Sequence, residues 1–197
     1  MSVLRLKMKT DPTWVKHVVE GNIEEILTDH AYCEQKAASS AISFIVQYPE
    51  HEELVASMAE LAQEEMGHFK MVHRLIVQRG FTLGRERKDS YVNELVKFTR
   101  IKGRGREETL CDKLLFAAMI EARSCERFKV ISDNIDDQEL ATFYHKLMVS
   151  EARHYTLFLK FARQLCPNID VDKRWAEFLE YEADVISRYG KKEEIHG

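Results

Sequence analysis

The chain has 197 residues, a formal charge of −4, and only 8 glycines and 3 prolines. So few turn-forming residues exclude an all-β fold, which needs a turn about every 8 to 12 residues. The acidic balance excludes a generally basic nucleic-acid coat but leaves room for a local basic patch.

Apolar residues recur at three- and four-residue spacing along four long stretches, which is the pattern of a helix with one buried face. The stretches predict core helices at about 22–47, 50–79, 109–132 and 136–165. Weaker patterns of the same kind predict a short helix at 12–20 and a terminal helix at about 172–188.

A short loop connects the first two core helices, and another connects the last two. These short loops predict two antiparallel helical hairpins. The connection at 81–106 is too long for a structureless loop, so we expect a short helix at 91–98. The sequence therefore predicts an all-α fold: one domain over 1–197, built as a four-helix bundle. A long crossover would join helices two and three, with extra helices at both termini.

Each predicted core helix carries, in the middle of its apolar stripe, residues that are costly to bury. The first and third helices each have a single Glu there, and the second and fourth each have a Glu-x-x-His pair. These residues are Glu34, Glu65, His68, Glu121, Glu151 and His154. An unpaired buried carboxylate costs several kcal/mol, so four of them need cations. Glu and His at i and i+3 share a helix face and can reach one metal centre.

The spacing of these residues is more specific than the Glu-x-x-His motif alone. A third copy at Glu193 and His196 lies in the tail, and we regard it as accidental. A shift of 86–87 residues, however, lays Glu34 on Glu121 and the first Glu-x-x-His pair on the second. The chain therefore contains two copies of one helical hairpin, with three candidate ligands in each.

This ligand set is the one that ferritin-like carboxylate bundles use for two metal ions. Four carboxylates balance two divalent cations, and oxygen and imidazole donors without thiolate suit iron or manganese better than zinc. Such a centre can store iron, remove peroxide or hydroxylate a C–H bond, and the ligands alone do not decide among these. His30, one turn before Glu34, is either a supporting residue of the site or a core or capping histidine.

The chemical context of the chain points to the cytoplasm. The first ten residues lack the apolar core of a secretory signal, and no apolar stretch approaches the roughly 20 residues of a membrane helix. The four cysteines show no Cys-x-x-Cys spacing, which argues against a zinc ribbon or a thioredoxin-type site. We expect reduced thiols, no membrane contact, and a monomer or weak dimer.

The amino-acid sequences of the core helices resemble those of a known family. The strings are LTDHAYCEQKAASSA (27–41), EEMGHF (64–69), IEARSCERF (120–128) and SEARHY (150–155). They closely resemble the bacterial tRNA hydroxylases that act on 2-methylthio-N6-isopentenyladenosine, the modified base beside the anticodon, and the likeness extends from about Trp14 to Leu165.

The resemblance implies a ferritin-like fold, two nonheme iron ions, and hydroxylation of the isopentenyl side chain with dioxygen as co-substrate. By the same resemblance, Glu65 and Glu151 would bridge the irons, Glu34 and Glu121 would be terminal ligands, and each iron would carry one His. The implied activity is that of a monooxygenase, an oxidoreductase that takes part in tRNA modification.

A basic segment supports a tRNA partner independently of the resemblance. Residues 97–106 carry five bases, two glycines and no acid. We predict that these bases contact phosphates, as a folded RNA requires; they are Lys97, Arg100, Lys102, Arg104 and Arg106. The alternative is a solvated crossover loop with no partner.

Other functions stay open on the sequence alone. A ferritin-like iron store would share the ligand pattern but gives no reason for the basic segment. A rubrerythrin-like peroxidase usually adds a Cys-x-x-Cys module, which this chain lacks, and a purely structural bundle would bind no metal. Because no flavin or iron–sulfur motif is present, a hydroxylase of this kind needs an external electron donor, either a ferredoxin or a flavoprotein reductase.

Overall fold

The computed structural model describes residues 4–99 and 105–189, and all regular structure within these ranges is helical. A π-helical turn at Val15–Val19 comes first, and a 3-10 turn at Val96–Phe98 follows the third α-helix. The six α-helices are α1 Ile23–Gln47, α2 Glu52–Gln78, α3 Ser90–Leu95, α4 Arg106–Asn134, α5 Gln138–Leu165 and α6 Val171–Tyr189. The all-α prediction is confirmed.

The predicted helices are all present, with small differences at their ends. Among the four core helices the largest is at α4, which begins at Arg106, whereas the apolar pattern predicted about 109. Glu107 and Glu108 occupy its first turn, where carboxylates stabilise the positive end of the helix dipole. An apolar pattern does not detect such a polar first turn.

The described residues divide into two compact units, one of residues 22–88 and one that combines 4–21 with 89–99 and 105–189. In the first unit, α1 packs along α2 as the predicted antiparallel hairpin. Gly80 has a φ of 76° and ends α2, since a residue with a side chain rarely adopts that conformation. The segment after it returns along α1, where the Tyr32 hydroxyl donates to the carbonyl of Gly84 at 3.0 Å.

In the second unit, α4 packs along α5 as the other predicted hairpin. The Asp137 side chain caps α5 by accepting from the backbone N–H of Leu140 at 3.0 Å. The short α3 and the terminal α6 also pack together. α4 is buried on most of its circumference, including its charged residues Arg123 and Arg127.

Among the described helices, none is both long enough and apolar enough to cross a membrane. The prediction of a single domain over 1–197 stays a prediction.

Candidate metal centre

The α1–α2 hairpin brings together the first three predicted ligands. Glu34, Glu65 and His68 are all buried, and their ligand atoms lie within 4.8 Å of one another. Nδ1 of His68 lies 3.1 Å from Oε2 of Glu65 and 3.4 Å from Oε2 of Glu34. One turn of α2 therefore supplies an imidazole and a carboxylate to the same point, and α1 adds the second carboxylate.

The two carboxylates change the acidity of His68. Burial lowers its pKa, but hydrogen bonds to Glu34 and Glu65 outweigh that effect and raise the pKa to about 9. Without a metal, the imidazole is therefore protonated at neutral pH and acts as the cation between two acids. A divalent ion at this position would take over that role.

His30 is a member of this cluster that the sequence left undecided. It is fully buried, and its Nε2 lies 2.7 Å from Oε1 of Glu34. The contact fixes one carboxylate oxygen of Glu34 and leaves the other oxygen on the side of His68. Carboxylate ligands of metals are commonly held by such a second hydrogen bond, and His30 lies in the position from which it could hold Glu34 in this way.

The α4–α5 hairpin brings together the other three predicted ligands. Glu121, Glu151 and His154 are buried, and their ligand atoms also lie within 4.8 Å of one another. Nδ1 of His154 is 3.8 Å from Oε2 of Glu121 and 4.0 Å from Oε2 of Glu151. These distances are longer than hydrogen bonds. The imidazole of this hairpin therefore lies farther from its two carboxylates than His68 does from Glu34 and Glu65.

The two hairpins carry the same types of candidate ligand but differ in the residues that surround them. The 87-residue shift that superimposes Glu34 on Glu121 lays His30 on Ala117. Glu121 therefore has no histidine in the position from which His30 supports Glu34. The internal repeat extends to the ligands but not to their supporting residues.

The chemistry of the donors suits divalent iron or manganese. Each half offers two carboxylates and one imidazole, which are the donors that these ions accept in nonheme sites. Cys125 lies one turn beyond Glu121, but its Sγ–H donates to the carbonyl of Met148 at 3.4 Å. Burial and the nearby carboxylates raise the pKa of this thiol to about 11, so it is not the thiolate that a zinc site would use.

The predicted tRNA contacts are only partly described by the structure. Lys97 is exposed and pairs with Glu94, and Arg106 is exposed at the first turn of α4. Arg100, Lys102 and Arg104 lie outside the described residues. The role of the segment stays a prediction.

A second buried polar cluster was not identified from the sequence. Arg123 on α4 and Glu182 on α6 are both 0% exposed and form an ion pair at 2.6 Å. The hydroxyl of Tyr91 donates to Glu182 at 3.2 Å, and Arg123 also reaches Glu126 at 2.9 Å. The cluster joins α3 and α6 to α4, the helix that also carries Glu121.

Comparison with known proteins gives concordant matches over nearly the whole chain. The family model described as tRNA-(MS[2]IO[6]A)-hydroxylase (MiaE) matches residues 2–197. A tRNA 2-(methylsulfanyl)-N(6)-isopentenyladenosine(37) hydroxylase of Pseudomonas putida is 39% identical over 82% of this chain and 77% of its own. A protein of the same name from Salmonella typhimurium is 29% identical over 92% of this chain and 83% of its own.

A solved structure shows the same fold. It is described as protein 43 with aldehyde deformylating oxygenase activity from Synechococcus. The match has a TM-score of 0.88 and 30% identity, and it covers 98% of this chain and 95% of that one. The predicted ferritin-like helical fold is thereby confirmed.

Proposed function

The chain belongs to the tRNA-(MS[2]IO[6]A)-hydroxylase family, and from this premise we propose that it hydroxylates the isopentenyl side chain of 2-methylthio-N6-isopentenyladenosine in tRNA. The modified base lies next to the anticodon, in a single-stranded loop, so it can enter a pocket without disrupting a duplex. This substrate also implies that the protein works in the cytoplasm.

We propose that the six buried ligands hold two iron ions between them. The observation that supports this assignment is that each hairpin buries a set of two glutamates and one histidine. A pair of ferrous ions supplies the reduction of dioxygen that hydroxylation needs. Following the resemblance, Glu34, Glu65, Glu121 and Glu151 would supply the carboxylate ligands, and His68 and His154 would supply one imidazole for each ion.

The protein's own residues would prepare the site in three ways. His30 fixes the orientation of Glu34, so that this carboxylate is in place before a metal arrives. His68 releases its proton to become a ligand, which couples iron uptake to pH. The buried setting of all six ligands excludes water from the reacting centre.

The balanced reaction defines what else the protein must meet. A C–H bond of the side chain, one dioxygen, two electrons and two protons give one hydroxyl group and one water. No flavin or iron–sulfur motif occurs in the sequence, so we propose an external electron donor, a ferredoxin or a flavoprotein reductase. We further propose that segment 97–106 contacts tRNA phosphates through its five bases.

The decisive experiment is nucleoside analysis in a host that makes the methylthio-isopentenyl base but lacks its hydroxylated form. We expect expression of this chain to yield the hydroxylated nucleoside by mass spectrometry. The Glu121→Ala variant, which loses a metal ligand, should yield none although it accumulates to the same level. Absence of the product from the wild-type chain, with iron bound and electrons supplied, would overturn the proposal.

A second candidate function is aldehyde deformylation, the activity named in the description of the similar solved structure. It predicts turnover of an aldehyde by the purified, iron-loaded protein. An iron store is the third candidate, and it predicts that many irons accumulate per chain. Neither candidate explains why five bases are concentrated in 97–106.

A further inference from the structure

A groove of about 830 Å³ lies on the flank of the α4–α5 hairpin. Its lining is mostly apolar and includes Leu4, Met148, Val149 and Leu157. The lining also contains three cations and no acid, and these cations are Lys129, Arg153 and Lys160. Apolar surface combined with charged groups is the usual composition of a site for a protein partner.

The positive charge of the groove follows the surface of α5. Lys146, Arg153 and Lys160 are exposed and seven residues apart, so they share one face of the helix at intervals of about 10.5 Å. Between residues 140 and 165 the only acid in the sequence is Glu151, and it is buried. Lys129 pairs with Asp133 at 2.7 Å, and the other two cations of the lining lie on α5.

The groove backs directly onto the α4–α5 ligands. Ala152, on its wall, follows Glu151 in the chain, and Cys125 lies one turn beyond Glu121. Arg153 and Lys160 project from the exposed face of α5, whereas Glu151 and His154 project from its buried face. A helix is about 10 Å in diameter, so a partner in the groove lies about one helix width from these ligands.

We propose that this groove is the docking site of a small acidic one-electron carrier protein of the ferredoxin type. The inference rests on the proposed function, which needs two electrons per hydroxylation from outside the chain. Two successive dockings of the reduced carrier would each deliver one electron, and each carrier would leave oxidised. Opposite charges would steer these encounters, as in other brief protein contacts.

The composition of the groove favours a protein over RNA. Single-stranded RNA is bound through exposed aromatic rings on which bases stack. Tyr155 is the one aromatic residue that lines the groove within the described residues, and it is 5% exposed and packs against Trp175. Exposed aliphatic side chains such as Val149 offer bases no stacking surface, but they suit the apolar centre of a protein interface.

The test compares Arg153→Glu/Lys160→Glu with a control, Lys70→Glu/Lys173→Glu, that makes the same change of charge at exposed sites elsewhere. The first readout is binding of an oxidised, acidic two-iron, two-sulfur ferredoxin to the metal-free protein at low salt. The second is the rate at which the reduced ferredoxin reduces the iron-loaded ferric protein without oxygen or tRNA. We expect both to fall at least tenfold in the groove variant and less than threefold in the control.

Added salt should weaken ferredoxin binding to the wild type more than to the groove variant. Equal ferredoxin binding by the groove variant and the wild type would overturn the inference, as would no binding by either. A selective loss of tRNA affinity in the groove variant would instead assign the groove to RNA. Hydrogen peroxide, which supplies both oxygen and electrons, tests the proposed function separately: hydroxylation of tRNA by peroxide should be unchanged in the groove variant.

Discussion

The imidazole of His30 donates from Nε2 to Oε1 of Glu34 at 2.7 Å, and both side chains are buried. The bond restrains a predicted metal ligand from within its own helix, one turn away. We expect His30→Ala to lower metal affinity by about 10- to 100-fold, the usual effect of losing a residue that holds a ligand. Competition for Mn²⁺ or Fe²⁺ against a chelator, without oxygen, would measure this.

His145→Ala is the matched control, because His145 is also on a helix but is exposed. It should leave metal affinity unchanged. His30→Gln, which retains a hydrogen-bond donor, should recover part of the loss. If His30→Ala bound metal as tightly as the wild type, the histidine would be only a core residue.

Removal of a single predicted ligand should be visible as iron stoichiometry. We expect Glu121→Ala to bind about one iron or fewer per chain after ferrous loading, compared with about two for the wild type. Glu139→Ala removes an exposed acid from the first turn of α5 and should retain both ions. Fewer than about one iron in the wild type would contradict a two-iron centre.

The raised pKa of His68 predicts that metal uptake releases a proton. The folded, metal-free pKa is about 9, above the ordinary value of about 6.5, so the imidazole is charged at pH 7. A metal binds the neutral form, and apparent affinity should therefore rise with pH and level off above pH 9. Calorimetric titration with Mn²⁺ in two buffers of different ionisation enthalpy gives the number of protons released at pH 7.

The His68→Gln variant separates this proton from those of other ligands. It should release about one proton fewer than the wild type at pH 7. The same pKa has a consequence for the metal-free fold: the stabilisation from charged His68 is complete below about pH 6.5 and is lost as the pH rises through about 9. Identical proton release in both proteins would show that His68 is neutral before metal binds.

The buried pair of Arg123 and Glu182 predicts a large effect on stability. Arg123→Met would leave the Glu182 carboxylate buried without its cation, which costs about 3 to 5 kcal/mol in comparable cases. Arg188→Ala, which removes an exposed pair with Asp184, should cost less than about 1 kcal/mol. Urea unfolding at pH 7 compares the two, and Arg123→Met/Glu182→Leu should regain much of the lost stability. A cost below 1 kcal/mol for Arg123→Met would contradict a stabilising role for the buried pair.

The candidate metal ligands stand out in the sequence because each interrupts an apolar stripe in the same register, and the structure buries all six. Glu34 lies between Ala31 and Ala38, and Glu121 occupies the equivalent place on its own helix. The repeat then distinguished these acids from other glutamates of the chain. A local pattern of this kind needs no knowledge of which helices pack together.

The Arg123–Glu182 pair could not be predicted in the same way. Its two members are 59 residues apart, and nothing in the local sequence indicates that α6 lies behind α4. α4 is buried on most sides, so its polar residues do not alternate clearly with an apolar face. His30 is an intermediate case: its place on the helix was evident from the sequence, but only the structure shows the contact with Glu34 on which its predicted role depends.

The basic segment 97–106 gives the last prediction, which concerns tRNA affinity. Arg104→Glu/Arg106→Glu adds two acids and removes two bases in the stretch that we expect to contact phosphates. Each lost phosphate contact removes about one unit from the salt dependence of binding. We therefore expect weaker tRNA binding at every salt concentration and a slope of log K against log salt that is smaller by about two. Iron content should not change, because no predicted ligand lies in the segment.

Lys70→Glu/Lys173→Glu again serves as the control, since it makes the same change of charge at exposed sites on α2 and α6. If tRNA binding depended only on net charge, the two double variants would lose equal affinity and equal slope. A localised contact requires the larger loss in the 97–106 variant alone. If that variant bound tRNA as the wild type does, the segment would be a solvated crossover, and the phosphate contacts would have to come from other cations.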